Sequence, residues 1–309
     1  MSNKPTILVT GATGAQGGSV ARALLKSNNF HVRCLTRNPL SDQAIILAAA
    51  GAEVIAGDLN DTASLKAAMH DCYGVFGVTN FWEHFEEEYQ QGKNLTDAVK
   101  QSSIKHFVFS TLPDYYKLSG QTLGVPHCDL KASLETYTKS LGIPATFIHV
   151  AFYYENFLSF FPPQADDNGE YYFGFPQGDT KLAMASVEDT GGVVASVFDH
   201  REVYTGRTVG VVGEDRTCTE YAAAMSKALE HTVHYAYIPR EIFAAYGFPG
   251  AEELANMFEV QRLFIPERSI DLIESYGLNP AMQRFEDWLL KNKCRFTMFS
   301  AKKQQSPAW

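Results

Sequence analysis

The chain has 309 residues, 45% hydrophobic and 20% charged, which predicts one large or two modest soluble globular domains with ample core. A net charge of −9 argues against a surface that tracks nucleic-acid phosphates, so no direct nucleic-acid partner is expected. Five scattered cysteines without a C-x-x-C pair argue against a disulfide frame or zinc site and for a reducing cytosolic or nuclear compartment; no long apolar run predicts a membrane span, and the first residues lead into a strand without a leader signature.

Residues 6–18 organise the rest of the chain. Ile7, Leu8 and Val9 form an uncharged apolar run suited to a strand buried on both faces. Gly11, Gly14 and Gly17 follow at spacing three, and residues 19–26 read as helix. Strand, glycine-rich turn and helix together form the setting of a dinucleotide site. The turn must bring backbone N–H groups against a pyrophosphate, and the helix start offers donors and the positive end of its dipole. The spacing is G-x-x-G-x-x-G, not G-x-G-x-x-G; the alternative is a tight strand-to-helix turn that binds nothing.

Residues 31–36 read as the second strand, with Arg37 at its end and Asn38-Pro39 stopping it. NAD sites usually place an acid about 20 residues beyond the glycines, on the ribose 2′-hydroxyl. Here that place holds Arg37, whose fork suits a 2′-phosphate and so favours NADP(H); the alternative is a solvated loop arginine. Residues 41–50 are expected as helix and 52–56 as the third strand. Asp58 then stands where it bonds an adenine amino group, or forms an Asx turn or helix cap.

Residues 61–71 read as helix and 73–78 as the fourth strand, with Thr79, Asn80, Phe81 and Trp82 at its carboxyl end. Ligands of open α/β sheets lie outside strand carboxyl ends, so these four are placed to line a cofactor. A long helix is expected over 83–103. Its early acids, Glu83, Glu86, Glu87 and Glu88, complement the helix dipole and read as structural. Residues 105–110 form the fifth strand, and Ser110-Thr111 end it at the same crevice. The polar stretch 113–126 is a candidate mobile cover. Pro126 opens a helix carrying His127, Cys128 and Lys131, and 145–150 form the sixth strand. Six alternating β-α units predict a Rossmann-type doubly wound parallel sheet.

The second half differs. Residues 169–185 read as a hairpin around 176–178, 187–199 as helix and 207–212 as strand. Thr217 and Glu220 form a capping box opening a helix over 221–229. A strand over 233–238 and helices near 241–246, 251–264, 267–276 and 282–293 complete the chain, and the tail 300–309 is expected to be loose. The dinucleotide domain is placed at 1–153 plus about 186–212. A smaller α+β substrate- or partner-binding domain takes about 154–185 plus 213–309. The aromatic run 152–175 reads as core, or as the lining of an apolar cleft.

This order resembles the short-chain dehydrogenase/reductase superfamily in its atypical branch. Its enzymes usually carry Y-x-x-x-K on the helix after strand five, the Tyr donating a proton and the Lys lowering its pKa. Here Lys131 is kept and His127 stands in the Tyr position, leaving His127 and Lys131 as the catalytic candidates if the chain is an enzyme; Tyr115 and Tyr116 are alternative donors.

The segments G-A-T-G-A-Q-G-G-S-V-A-R, T-R-N-P, G-A-E-V-I-A-G-D, T-N-F-W-E, Y-Y-E-N and G-F-P-G-A-E-E-L-A-N-M-F resemble the NmrA-like family from about residue 4 to 293. The resemblance implies an NADP(H)-binding redox sensor without established dehydrogenase activity, acting through regulatory protein partners, with a homodimer as one form. It implies a pyrophosphate cradle of Gly11, Ala12, Thr13, Gly14, Ala15, Gln16 and Gly17, with Arg37 on the 2′-phosphate and Asp58 and Leu59 at the adenine. Thr79, Asn80 and Phe81 would lie along the cofactor and Lys131 on the nicotinamide ribose. Tyr153, Tyr154, Glu155 and Asn156 would close over the nicotinamide end. Leu59 departs from the polar residue usual after Asp58, which weakens the adenine contact there. The alternative reading is an NADPH-dependent reductase of a flat apolar carbonyl or quinone-like compound.

Overall fold

The computed structural model describes residues 4–83, 87–265 and 267–297; Glu86 and the tail 300–309 lie outside the described residues. The chain forms two compact units. The first comprises Met1–Ala151, Val187–Val211 and Ile270–Met282, the second Phe152–Ser186, Val212–Ser269 and Gln283–Trp309.

The first unit is built on strands β1 (Thr6–Val9), β2 (His31–Thr36), β3 (Glu53–Ala56), β4 (Gly74–Gly77), β5 (His106–Thr111) and β6 (Ala145–Val150), with a last strand Thr208–Val211. The sheet order is Thr208–Val211, β6, β5, β4, β1, β2, β3. Every pair is parallel. Ile7, Leu8 and Val9 are fully buried, as a strand covered on both faces requires. The strand order reverses between β1 and β4, and the crevice at such a reversal is where open α/β sheets take ligands.

Helices α1 (Ala15–Ser27), α2 (Asp42–Ala49), α3 (Thr62–Ala68), α4 (Glu88–Lys100), α5 (Tyr115–Leu118) and α6 (Pro126–Ser140) alternate with the strands. Leu8, Leu65, Leu95, Phe107, Leu134 and Phe147 belong to one buried cluster between sheet and helices. Burial of each such side chain is worth about 1.5–3 kcal/mol. Asp61 caps α3 through Ala63 and Ser64. The long helix expected from Glu83 begins at Glu88.

The stretch 113–126, expected as a mobile cover, is tied down. Asp114 caps α5 by accepting from the Lys117 N–H. The Asp129 carboxylate accepts from the N–H groups of Tyr116 (2.9 Å) and Val125 (2.7 Å). The segment Ile270–Met282, expected with the smaller domain, packs in the first unit instead. Ser275 Oγ donates to the Gly210 carbonyl on the edge strand (3.0 Å), and Asn279 Nδ2 to the Asp189 carbonyl (3.1 Å). An edge strand gains from such cover.

The second unit holds two three-stranded sheets. One contains Phe152–Tyr153, Lys181–Ala185 and Glu214–Thr217, the other Gln164–Ala165, Tyr171–Phe175 and Val233–Tyr237. The hairpin expected over 169–185 is therefore absent: its two arms lie in different sheets. Tyr171–Phe175 pairs in parallel with Val233–Tyr237, and Lys181–Ala185 pairs with Glu214–Thr217. In the link, Gln177 Nε2 donates to the Lys181 carbonyl (2.8 Å) and to Thr180 Oγ1 (3.0 Å), so a side chain satisfies what a hairpin would pair across strands. The capping box of Thr217 and Glu220 is present and opens the helix Cys218–Leu229. Part of the aromatic run is core: buried Phe175 stacks on Phe258 at 4.5 Å and Phe157 lies edge-on to Phe173 at 5.1 Å, whereas Phe160 and Tyr172 are exposed. No helix among the described residues is long and apolar enough to cross a membrane.

Candidate functional site

The glycine turn joins the carboxyl end of β1 to α1, beside the reversal point. Gly11 has φ +58°, a left-handed conformation that favours glycine. The Gly14 N–H donates to the Gly11 carbonyl (2.9 Å) and closes the turn. A Cβ on Gly17 would stand 2.3 Å from the Gly11 oxygen and 2.5 Å from the Thr10 oxygen, so the turn packs on the helix only without a side chain there. No side chain caps α1, and its first turn carries no acid. That end thus presents its partial positive charge without an internal anion.

Two side chains fix the turn's surroundings. The Thr10 hydroxyl accepts from the Val78 N–H (3.0 Å), while the Thr10 N–H donates to the Phe76 carbonyl (3.0 Å). Both bonds clip the end of β1 to β4. Ser110 Oγ at the end of β5 donates to Gln16 Oε1 (2.7 Å). Ala12 is buried and Thr13 half-buried, whereas Gly14 and Ala15 are exposed at the helix start.

Arg37 stands at the end of β2. Its Nη2 donates to Glu83 Oε1 at 2.6 Å, and Asn80 Nδ2 donates to Glu83 Oε2 at 3.2 Å. The hydrogen bond that Arg37 donates to Glu83, with Asp58 adding its charge, pushes the guanidinium pKa up. Asp58 Oδ1 accepts from the Asn60 N–H (2.8 Å), the Asx turn foreseen as its alternative role. Leu59 packs its side chain on the buried cluster, and its carbonyl accepts from Asn94 Nδ2 (3.0 Å).

Thr79 follows β4 and is buried against Lys131 and Glu88. Lys131 Nζ donates to the Thr79 carbonyl (3.1 Å), to Thr79 Oγ1 (2.9 Å) and to Glu88 Oε1. Thr79 Oγ1 in turn donates to Glu88 Oε1 (2.6 Å). Glu88 is fully buried and Lys131 nearly so, with 13% of its side chain exposed. An ammonium has three N–H donors, and all three are engaged within the protein. The expected ribose ligand is thus held inside a buried clamp that joins β4, α4 and α6. Glu88, read from sequence as a complement to the helix dipole, is its anionic member.

His127 lies one turn before Lys131 on α6, buried, with its ring 5.9 Å from Phe81 and 5.5 Å from Trp82. Phe81 is buried, Asn80 exposed, and Cys128 buried. Lys93 pairs with Asp97 at 2.6 Å and lies over the Tyr137 ring. Further along α6, Glu135 accepts from Thr111 Oγ1 (2.8 Å) and Lys139 (2.6 Å) and meets His149 Nε2 at 2.9 Å. Burial alone raises its carboxyl pKa, but the hydrogen bonds from His149, Lys139 and Thr111 bring it down to about 2.

Residues 153–156 belong to the second unit. Tyr154 is fully buried there, its ring 4.9 Å from Phe285 and 5.5 Å from Trp288. Glu155 Oε1 accepts from Ser186 Oγ (2.7 Å) and Trp288 Nε1 (3.0 Å). The Asn156 carbonyl accepts from the Phe161 N–H (2.8 Å), and Tyr153 ends the short strand Phe152–Tyr153. Among the described residues no cluster of His, Cys, Asp or Glu is arranged to hold a metal ion.

A family model described as the NmrA-like family matches residues 3–286. The chain is similar to the NmrA-like family domain-containing oxidoreductase FrzB of Cladobotryum sp, at 32% identity over 292 residues covering 85% of this chain and 87% of that protein. In structure it is similar to NmrA, a negative transcriptional regulator solved in complex with NAD and with NADP. The TM-scores are 0.81 and 0.80 at 25% identity, covering 94% of this chain and 95% of NmrA. It shares its fold with the NADPH-dependent quinone oxidoreductase QOR2 of Escherichia coli, at TM-score 0.77 and 24% identity over 92% of this chain and 98% of that one.

Proposed function

This chain belongs to the NmrA-like family, and from that premise we propose that it binds NADP(H) at the glycine turn and works as a redox-responsive regulator of protein partners, without dehydrogenase turnover. The observation that carries the binding is the α1 start: a left-handed Gly11, a Gly17 with no room for a Cβ, and a helix end with neither side-chain cap nor acid. The backbone N–H groups of residues 11–17 would take the pyrophosphate, and Arg37 the 2′-phosphate. The NAD and NADP complexes of NmrA support the binding of a nicotinamide dinucleotide.

Two features speak against turnover. The three donors of Lys131 are engaged by Thr79 and Glu88, and the adjacent carboxylate offsets the positive charge that would depress a neighbour's pKa. His127, in place of the superfamily's tyrosine, is buried against Phe81 and Trp82. The partner is a protein, a second copy of this chain included, in the cytosol or nucleus.

A sensor must bind the two redox forms with different affinity or couple them to different conformations. Calorimetric titration with NADPH and NADP⁺, with apparent size followed in parallel, tests this. The expected result is roughly tenfold or greater preference for one form together with a change in size. Equal affinity and no change in size would remove the signal. The second reading, an NADPH-dependent reductase of a flat apolar carbonyl or quinone, is favoured by the oxidoreductase designation of FrzB. Steady NADPH oxidation with such a compound, lost on His127→Ala, would establish it instead.

A further inference from the structure

The position that carries the 2′-hydroxyl acid in NAD sites is Arg37 in this chain, so the sequence around β2 offers no such acid. The fold supplies one from elsewhere. Glu83, 46 residues downstream, places Oε1 at 2.6 Å from Arg37 Nη2, and Asn80 Nδ2 holds its other oxygen at 3.2 Å. Arg37 follows β2 and Glu83 follows β4, while β1 and its glycine turn lie between those strands. The ion pair therefore straddles the carboxyl end of β1, at the side of the turn where the adenosine ribose of a dinucleotide would lie. Both partners are accessible to a ligand, at 57% and 48% side-chain exposure.

We propose that Glu83 is a specificity-determining residue of the dinucleotide site, accepting the 2′-hydroxyl of NAD(H) while Arg37 takes the 2′-phosphate of NADP(H), so that the chain binds both. The two modes differ in what Glu83 does. A 2′-hydroxyl is a donor, and the Glu83 carboxylate, oriented by Arg37 and Asn80, is the acceptor it needs. A 2′-phosphate is an anion stronger than a carboxylate in charge. It takes the Arg37 fork bidentately and releases Glu83, at small cost because exposed ion pairs are weak. Glu83 thus favours NAD(H) directly and competes with NADP(H) for the guanidinium.

This inference rests on the proposed dinucleotide site, and the test separates the two. Wild type, Glu83→Gln and Glu83→Ala are titrated with NADPH and with NADH, following the fluorescence of the reduced nicotinamide. The readout is the ratio of the two dissociation constants, which a general loss of stability does not move. For Glu83→Ala, NADH is expected to bind roughly tenfold more weakly and NADPH about threefold more tightly, with Glu83→Gln in the same direction. If wild type binds NADPH and neither substitution moves the ratio, Glu83 has no part in specificity and the inference alone fails. If wild type binds neither dinucleotide, the proposed site fails with it.

Discussion

His106 gives the sharpest physical test of the first unit. It opens β5, is fully buried, and its Nε2 lies 2.8 Å from Thr146 Oγ1. The Thr146 hydroxyl gives its own proton to the Tyr204 carbonyl (2.7 Å), so it accepts from His106 and the ring carries its proton on Nε2. Nδ1 is buried with no hydrogen-bond partner. Burial, with the charge of Arg201 adding to it, lowers the His106 pKa from 6.5 to about 4. The folded pKa lies below the unfolded one, so the unfolded chain binds the proton more readily. The contribution is complete above pH 6.5 and is lost as pH falls toward 4. A difference of that size corresponds to about 3 kcal/mol, lost over the pH range between the two pKa values. Urea unfolding of wild type and His106→Gln from pH 7.5 to 4.5 isolates the effect, because Gln still donates to Thr146 and every other titration cancels in the difference. Wild type should lose stability relative to His106→Gln as pH falls below 6.5, with the difference between the two proteins flat above it. A gap that stays constant from pH 7.5 to 4.5 would refute the buried neutral histidine.

Other substitutions probe the site itself. Gly17→Ala puts a Cβ 2.3 Å from a backbone oxygen and should cost about 1–3 kcal/mol or more and abolish dinucleotide binding. Gly14→Ala, at 3.3 Å, should be milder; equal effects in calorimetry and melting would contradict the packing described. Arg37→Ala should weaken NADP(H) much more than NAD(H) in parallel titrations, and equal weakening would remove its 2′-phosphate role. Lys131→Met strands the buried Glu88 carboxylate and should cost about 3–5 kcal/mol. The double variant with Glu88→Leu should recover most of that loss in thermal melts; additive losses would mean that the two residues do not act as a pair. Glu135 should add an acid limb below that of His106. Its carboxyl is lowered to about 2, so its contribution is present above pH 4.5 and lost as pH falls through 2. Glu135→Gln should flatten that limb in acid-unfolding curves.

The sheet was legible because short runs rich in apolar residues, such as 7–9 and 107–109, alternate with stretches of helical period, and breakers such as Asn38-Pro39 mark strand ends. The glycine turn was legible for the same local reason. The hairpin misreading came from the limit of that method: a turn signal at 176–178 marks where one strand ends and the next begins, not which strand lies alongside either. The Arg37–Glu83 and Lys131–Glu88 pairs join residues 46 and 43 apart in the chain, and no local period marks them. Both carboxylates fall in the segment read as the start of a long helix, where an acid has a sufficient local explanation in the dipole. Tyr154 and Glu155 were read with a motif, yet Tyr154 lies in the aromatic core and Glu155 takes hydrogen bonds from Ser186 and Trp288.

The interleaving of the two units bears on how the chain emerges and how it can be cut. The chain passes from one unit to the other after Ala151, Ser186, Val211, Ser269 and Met282. No single stop codon or protease cut yields either unit whole. A product ending at Ala151 would carry the complete glycine turn and six strands, but β6 would present an open backbone edge where Thr208–Val211 belongs. On the ribosome the same edge stays uncovered until about 60 further residues have emerged, a template for pairing with another nascent chain. The unit that contains the glycine turn is thus the first begun, yet it is complete only once Ile270–Met282 has been made.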